Sequence, residues 1–423
     1  MGLEFEGNVY RWAESPLKGR NNITILDTSL RDGIQAPSIR YPKLEEKIRL
    51  LEFMDKIGIE YADIAMPIAR GPHFREAVEL ARSKRELGLL IKLVCLARAL
   101  PSDVEKVIEL RDQSGVDLEV IIFKGSSPVR RQVEDWDVEH DLVKPMRAAV
   151  ELAVANGLTV TAATEDTTRT EPEVMEQIFT ESLRAGAKRL CIADTVGFSD
   201  PWSTPGSVMW VKEKIIGNDP AGLDWHGHND LGQSVSNALI ALGAGADRVH
   251  ATILGIGERA GNTPTEQLIE NLNQYGICEY DRRCVTSYAE AASVIFGRPI
   301  SPDHPVVGSK VHSTSTGIHG AGIAKAEKKG RSDLAGIVYS PVNPTDYGRR
   351  PELGVGPLSG VWNAESNLRR LGIDPAKERV ERVLQFAQML YKELDDDEIR
   401  RASEKTIEGE LLLWENNNPS TSK

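Results

Sequence analysis

The chain has 423 residues, with 51 Lys and Arg against 63 Asp and Glu, a formal charge of −12. That acidity argues against a nucleic-acid or anionic-membrane partner, since both select basic surface, and 40% hydrophobic with 27% charged residues excludes general disorder. The length exceeds the ~250 residues of one α/β barrel, so a remainder has to be accounted for.

Residues 1–21 read as an N-terminal extension. Met1 to Arg20 has no basic patch followed by an apolar stretch, so it is not a secretory signal. Glu6 stands where a myristoylation site needs Ser or Thr. Short β-branched runs then follow at Ile23–Asp27, Tyr61–Ala65, Leu90–Leu96, Leu118–Phe123, Thr159–Ala163, Arg189–Ala193, Leu223–His228 and Arg248–Ile253. Helical periodicity fills the gaps: Lys43–Ile57, Arg75–Leu87, Asp103–Asp112, Asp141–Asn156, Pro172–Ala185, Thr204–Ile216, Gln233–Gly243 and Pro264–Tyr275. Such alternation predicts a parallel sheet, and eight units predict a closed (β/α)8 TIM barrel over 22–285. An open doubly wound sheet would favour Gly-x-Gly-x-x-Gly after the first strand. Ser29-Leu30-Arg31-Asp32-Gly33 stands there instead.

Beyond the barrel the texture changes. Residues 286–365 are expected to form a linker arm, with 298–360 rich in Gly, Pro, Ser and His and read as extended and loop-rich. Residues 366–414 are expected to be a small helical subdomain, with 376–412 returning to helix and an apolar face of Val380, Val383, Leu384, Phe386 and Leu390. Residues 415–423 read as a polar tail. No apolar run reaches the ~18 residues of a membrane helix. Cys95 and Cys191 lie in strand-like runs and are expected in the core, while Cys278 and Cys284 lack zinc-site spacing. A cytoplasmic protein without disulfides is expected.

Barrel chemistry sits in the loops after the strands. Those loops carry Arg31 and Asp32, Glu165 and Asp166, Asp194 and Thr195, His226-Gly227-His228-Asn229-Asp230, and Glu258, Arg259 and Asn262. His226 and His228 are two apart on a strand and point to one face. With Asp32 near them they form a divalent-metal site with open positions; the alternative is two half-buried histidines satisfied by backbone. The glycine-rich Gly255–Asn262 reads as a ligand-facing loop or as a tight turn.

Taken together, these residues resemble the metal-dependent barrel superfamily of isopropylmalate, homocitrate and citramalate synthases and hydroxymethylglutaryl-CoA lyase. Leu26-Asp27-Thr28-Ser29-Leu30-Arg31-Asp32-Gly33-Ile34-Gln35 is similar to its opening signature, departing at Ile34, where an acid is usual. His226–Gly232 and Gly255–Asn262 are similar to two further signatures, and the resemblance covers roughly 22–365. The synthase branch fits better. The loop after the last strand reads Glu258-Arg259-Ala260, without the lyases' cysteine. Ser315-Thr316-Gly317-Ile318-His319, Tyr339–Pro344 and Gly356–Gly360 resemble the synthases' linker motifs. Taken alone, His319 reads as a loop histidine and Tyr339 as a packed aromatic.

The resemblance implies a Claisen-type condensation of acetyl-CoA with a 2-oxo acid, giving a 2-alkylmalate-like product and CoA. It implies a divalent ion (Mg2+, Mn2+ or Zn2+) held by Asp32, His226 and His228, with Asn262 at or next to that site. Arg31 is implied as a fixed charge beside the substrate oxygen, His319 as the base, Glu165 as a group that orients it or shares the proton, and Tyr339 as an assisting group. Gln35, Ala163, Thr195 and Glu258 are implied as substrate contacts. The family's arm reaches the partner's site, so a homodimer with a swapped arm is expected.

The choice of 2-oxo acid stays open among 2-isopropylmalate, homocitrate, citramalate and unusual products. Ala163 stands where isopropylmalate synthases typically have Ser, and Ala193 where many have Pro. Neither supplies charge for a second carboxylate, which disfavours 2-oxoglutarate unless Arg98 or Arg169 does so. A lyase or aldolase on the same barrel and a non-catalytic descendant are the competing classes. Many isopropylmalate synthases continue into a regulatory domain; with helices ending before Glu415, no such domain is expected here.

Overall fold

The computed structural model describes residues 5–6, 9–10, 14–37, 39–67, 72–277 and 280–404. Cys278, residues 405–412 of the expected last helix and the tail at 415–423 lie outside the described residues, as do parts of the N-terminal extension. The chain forms two compact units, Met1–Ile300 and Ser301–Lys423.

In the first unit eight parallel strands close on themselves. They are β1 Thr24–Asp27, β2 Tyr61–Ala65, β3 Lys92–Arg98, β4 Leu118–Gly125, β5 Thr159–Glu165, β6 Arg189–Asp194, β7 Gly222–Gly227 and β8 Arg248–Ala251. Sequence neighbours pair, and β8 pairs back onto β1 with Val249 opposite Ile25. Around them lie α1 Leu44–Ile57, α2 Pro72–Glu86, α3 Pro101–Ser114, α4 Pro128–Glu134, α5 Lys144–Ala155, α6 Pro172–Arg184, α7 Ser203–Trp210, α8 Ser234–Ala244, α9 Thr265–Gln274 and α10 Arg282–Phe296. This is the expected TIM barrel.

The departures are local and have causes. The third strand starts at Lys92 rather than Leu90, because the Leu90 and Ile91 amides donate to Asp55 Oδ1 at 2.6 and 2.8 Å instead of to a neighbouring strand. Helix α4 went unread because it buries no residue and so has no apolar stripe; Ser127 caps it, accepting from the Arg130 amide at 3.3 Å. Helix α10 runs across the expected boundary at 285 and packs on α1 within the first unit.

Inward-facing residues stack in layers, as a small barrel requires. The lower layer is ionic. Arg248, fully buried, donates to Asp224 Oδ2 at 2.7 Å and Glu119 Oε2 at 3.0 Å, and Thr161 donates to Glu119 at 2.7 Å. Above it lies an apolar layer of Leu26, Val94, Ile121, Ala163 and Cys191, against which Tyr61, Leu96 and Phe123 pack. Cys95 and Cys191 are buried and unbonded.

The second unit has α11 Gly317–Lys328, α12 Ser332–Ile337, α13 Val361–Arg370, α14 Lys377–Leu390 and α15 Asp396–Glu404, and a short parallel pairing of Ser313–Thr314 with Glu352–Leu353. Val355, Leu368, Val380, Val383, Phe386 and Ile399 are among its core residues. The segment read as loop-rich therefore holds two helices. What these bury is mostly small, Gly320, Ile323 and Ala324 in one and Ala335 and Gly336 in the other, which hides the helical period. The helical stretch expected from 376 divides after Leu390. Tyr391 turns left-handed at φ 49°, and a new helix is capped where Asp395 and Glu398 accept from each other's amides at 2.8 and 3.1 Å. No helix among the described residues is long and apolar enough to cross a membrane.

Candidate active site

The loop after β1 is built to hold Arg31 and Asp32 over the barrel mouth. The Thr28 carbonyl accepts from the amides of Arg31, Asp32 and Gly33 at 3.1, 2.8 and 3.1 Å, closing a tight turn. Beneath it, the buried Asp27 carboxylate accepts from the Ser29 amide at 2.8 Å, the Tyr288 hydroxyl at 3.1 Å and the Thr265 hydroxyl at 3.2 Å. Burial lifts Asp27 to about 6 despite these donors. Arg31 Nε donates to Asp63 Oδ2 at 2.6 Å, and another guanidinium nitrogen lies 3.6 Å from Asp32 Oδ2. Burial opposes the Arg31 charge, but Asp63 and Asp32 outweigh it and hold its pKa above the ordinary value. Burial pushes Asp63 up to about 6, with Arg31 acting against the shift.

His226 ends its inward run on β7, and His228 lies just past the strand. There it leaves the barrel ladder and forms an isolated antiparallel bridge with Asn262. Both imidazoles turn toward Asp32: their Nε2 atoms lie 3.3 and 3.9 Å from Asp32 Oδ2 and 3.2 Å from each other. One ligand atom from each of the three residues falls within 4.8 Å of the others, the spacing of a possible metal site. Burial lowers both imidazole pKa values, that of His226 strongly, with His228, His250 and Arg31 adding to the shift; Asp32 partly offsets it for His228. Neutral imidazoles keep the lone pair a metal needs.

Asn262 is buried beside His228. Its Nδ2 donates to the Ile256 carbonyl at 3.2 Å, which leaves Oδ1 buried with no hydrogen-bond partner. Two glycines shape the loop around it. A Cβ at Gly257 (φ 156°) would meet Asn262 Nδ2 at 2.1 Å, and one at Gly261 (φ 92°) would meet the Gly255 carbonyl oxygen at 1.9 Å. The donor set of a carboxylate, two neutral imidazoles and an orphaned amide oxygen fits a divalent cation.

Asp32, His226 and His228 open into a cavity of about 470 Å3, in the usual size range for a small-molecule site. Arg31, Asp32, Gln35, Ala163, Glu165, Thr195, His226, His228 and Glu258 all border it. Asn262 does not. Thr195 Oγ1 accepts from the Asp166 amide at 2.8 Å, which leaves its own hydrogen to donate. Glu165 pairs with Arg130 Nε at 3.0 Å; burial raises its pKa and Arg130 pulls it back. Arg259 donates to Asp230 at 2.8 Å and to the Thr195 carbonyl at 2.6 Å, holding the rim.

His319 and Tyr339 belong to the second unit. Their rings stack with centroids 3.9 Å apart at 23°, and Thr314 Oγ1 shares a hydrogen bond of 2.9 Å with His319 Nδ1.

Three further residues matter at the barrel mouth. Asp63 fixes Arg31; its signal was a lone acid at an inward position of an apolar strand. His250 also borders the cavity and lies with its ring 5.3 Å from that of His226; its signal was the inward parity of β8. Arg130 pairs with Glu165 from a helix that gave no periodic signal.

A family model described as HMGL-like matches residues 22–289. The chain is 30% identical over 390 residues to homocitrate synthase AksA of Methanopyrus kandleri, covering 92% of this chain and 91% of the relative. It is 31% identical over 351 residues to 2-isopropylmalate synthase 2 of Caldanaerobacter subterraneus subsp. tengcongensis, covering 80% and 83%. It is 29% identical over 406 residues to (R)-citramalate synthase CimA of Methanocaldococcus jannaschii, covering 93% and 77%. Among solved structures, the HMG-CoA lyase of Bacillus subtilis matches with a TM-score of 0.56 at 20% identity, covering 66% of this chain and 95% of that one, a likeness of fold.

Proposed function

The chain belongs to the HMGL-like family, and from that premise we propose that it is an acyltransferase that condenses acetyl-CoA with a 2-oxo acid. The observation that carries the reading is the convergence of Asp32, His226 and His228 beside Arg31 at the mouth of one cavity. The extent of the likeness supports the synthase branch over the lyase branch. Synthase-named relatives align over as much as 93% of the chain, whereas the lyase structure spans 66%.

Asp32, His226 and His228 would hold a divalent ion, Mg2+, Mn2+ or Zn2+, with the Asn262 amide oxygen beside them. Such an ion supplies Lewis-acid polarisation of the 2-oxo acid's carbonyl. Arg31, held by Asp63, places a fixed positive charge by the same oxygen. Thr195 donates its hydroxyl hydrogen to the substrate carboxylate, and Gln35 and Glu258 complete the polar contacts. His319 takes the proton from the acetyl methyl, with Tyr339 assisting and Glu165 orienting the exchange. The resulting carbanion equivalent forms the new bond to C2 of the 2-oxo acid as the carbonyl π electrons pass to oxygen, which takes up the proton held by His319 and becomes a hydroxyl. Water then cleaves the thioester and releases CoA thiol. In this reading the arm carrying His319 serves the partner's barrel in a homodimer.

The test is thiol release from acetyl-CoA with a panel of 2-oxo acids, with and without a chelator. Release that requires both a 2-oxo acid and a divalent ion is the expected result. Release with no 2-oxo acid dependence, or none with any acid at any metal concentration, would overturn the reading.

A further inference from the structure

The cavity divides by strand. Its ionic side, with Arg31, Asp32, His226 and His228, comes from β1, β7 and the loops that follow them, which flank β8. Its other side comes from the contiguous strands β3 to β6 and carries Leu96, Ile121, Phe123, Ala163, Cys191 and Ala193. A 2-oxo acid with its carboxylate and carbonyl on the ionic side therefore directs its side chain toward the apolar arc.

That arc has no cation to offer a second carboxylate. Among the described residues that border the cavity, the arginines are Arg31 and Arg259, and both are committed: Arg31 to Asp63 and Asp32, Arg259 to Asp230. The two arginines the sequence left open are committed as well. Arg98 is bidentate on Asp103 at 2.6 and 3.0 Å, Arg169 pairs with Asp166 at 2.6 Å, and neither borders the cavity. Glu165 and Glu258 on the rim add repulsion toward an anion. A carboxylate buried here would lose its hydration without a cation to replace it. The floor is the reverse case. The Ala163 and Ala193 side chains are single methyl groups, and the buried Cys191 behaves as a small hydrophobe, so the space above them accepts apolar bulk.

We propose that the apolar arc selects 2-oxo acids with branched-aliphatic or aromatic side chains and rejects dicarboxylic ones. Ala163 and Ala193 set the size limit. The proposal rests on the condensing-enzyme reading above and narrows it to a substrate class.

The experiment compares kcat/KM for 3-methyl-2-oxobutanoate, 4-methyl-2-oxopentanoate, phenylpyruvate, pyruvate and 2-oxoglutarate, using the full chain with Mn2+ and saturating acetyl-CoA. The best apolar acid should exceed both pyruvate and 2-oxoglutarate by about tenfold or more, the scale on which a pocket reads missing apolar groups. Ala163→Leu and, separately, Ala193→Leu should each shift the ranking toward pyruvate by about tenfold. Calorimetric binding of the same acids with Mn2+, without acetyl-CoA, reads the selectivity independently of turnover. Pyruvate or 2-oxoglutarate as the best substrate would overturn the selectivity and leave the condensing reading intact. Silence in thiol release with the apolar ranking kept in calorimetry would overturn the condensing reading and support the selectivity. Silence in both would overturn both.

Discussion

Arg31 donates to Asp63 at 2.6 Å while its guanidinium lies 3.6 Å from Asp32, so one buried arginine ties a neighbouring strand to the candidate metal ligand. Asp63 is fully buried and reaches Arg31 from β2. Asp63→Asn should therefore leave the fold intact but release the orientation of Arg31. Outer partners of this kind typically cost about 10–100-fold in activity when changed, and that is the loss in kcat/KM expected of the asparagine variant. Thiol release at saturating acetyl-CoA measures it. Near-normal turnover would make the contact structural only.

The candidate metal centre predicts a binding defect that can be read apart from activity. Asp32, His226 and His228 each place one ligand atom within 4.8 Å of the others. Asp32→Asn and His226→Ala should each remove stoichiometric Mn2+ binding in calorimetry and abolish metal-dependent thiol release. Asn262→Ala should weaken Mn2+ affinity by a smaller factor, because Asn262 bridges His228 through the backbone and its amide oxygen is buried without a hydrogen-bond partner. Unchanged Mn2+ binding in His226→Ala would remove the assignment.

The barrel was legible because a strand buried on both faces must be a run of apolar, mostly β-branched residues, and eight such runs recur at a spacing only a closed barrel accommodates well. His226 and His228 stood out for the same reason: polar residues of one parity at the end of an apolar run have few structural uses. Asp63 was harder, since the barrel interior also carries Glu119 and Asp224 in a purely structural ionic layer, and parity alone does not separate an acid beneath the site from one within it. Arg130 was beyond reach, because α4 buries nothing and leaves no pattern. The helices at Gly317–Lys328 and Ser332–Ile337 were missed because what they bury is mostly glycine and alanine, which carry little periodic signal.

Glu165 predicts a pH dependence. Burial raises its pKa above the usual carboxylate range, and Arg130, 3.0 Å away, acts against that shift. If Glu165 works as the carboxylate, activity is lost as pH falls through its raised pKa. The acid limb of kcat/KM should thus sit above that of an ordinary glutamate. Arg130→Gln removes the opposing cation, so the carboxyl should become still harder to ionise and the limb should move to higher pH. Glu165→Gln should lose that limb altogether. A pH–rate profile for the three proteins decides it, and a limb that stays in place in Arg130→Gln would detach the pair from the reaction.

Arg248 predicts a loss of stability, argued from charge balance in the lower barrel. Its side chain is fully buried and contacts both Glu119 and Asp224, sharing Asp224 with Arg189. The Asp224 carboxylate is held well below its usual pKa: burial acts to raise it, but Arg248 and Arg189 more than reverse that. Arg248→Met fills much of the volume but strands Glu119 with no other ion-pair partner among the described residues, while Asp224 keeps Arg189 at 2.7 Å. Breaking a buried pair by removing one partner costs about 3–5 kcal/mol, and the retained Arg189 contact places the expected value at the lower end of that range. Denaturant unfolding of the variant against the parent chain measures the difference. A loss below about 1 kcal/mol, the scale of an exposed ion pair, would mean that Glu119 is satisfied by other groups. Replacing Glu119 by Gln in the same background should recover part of the loss, because the stranded charge disappears while its hydrogen bond from Thr161 can remain.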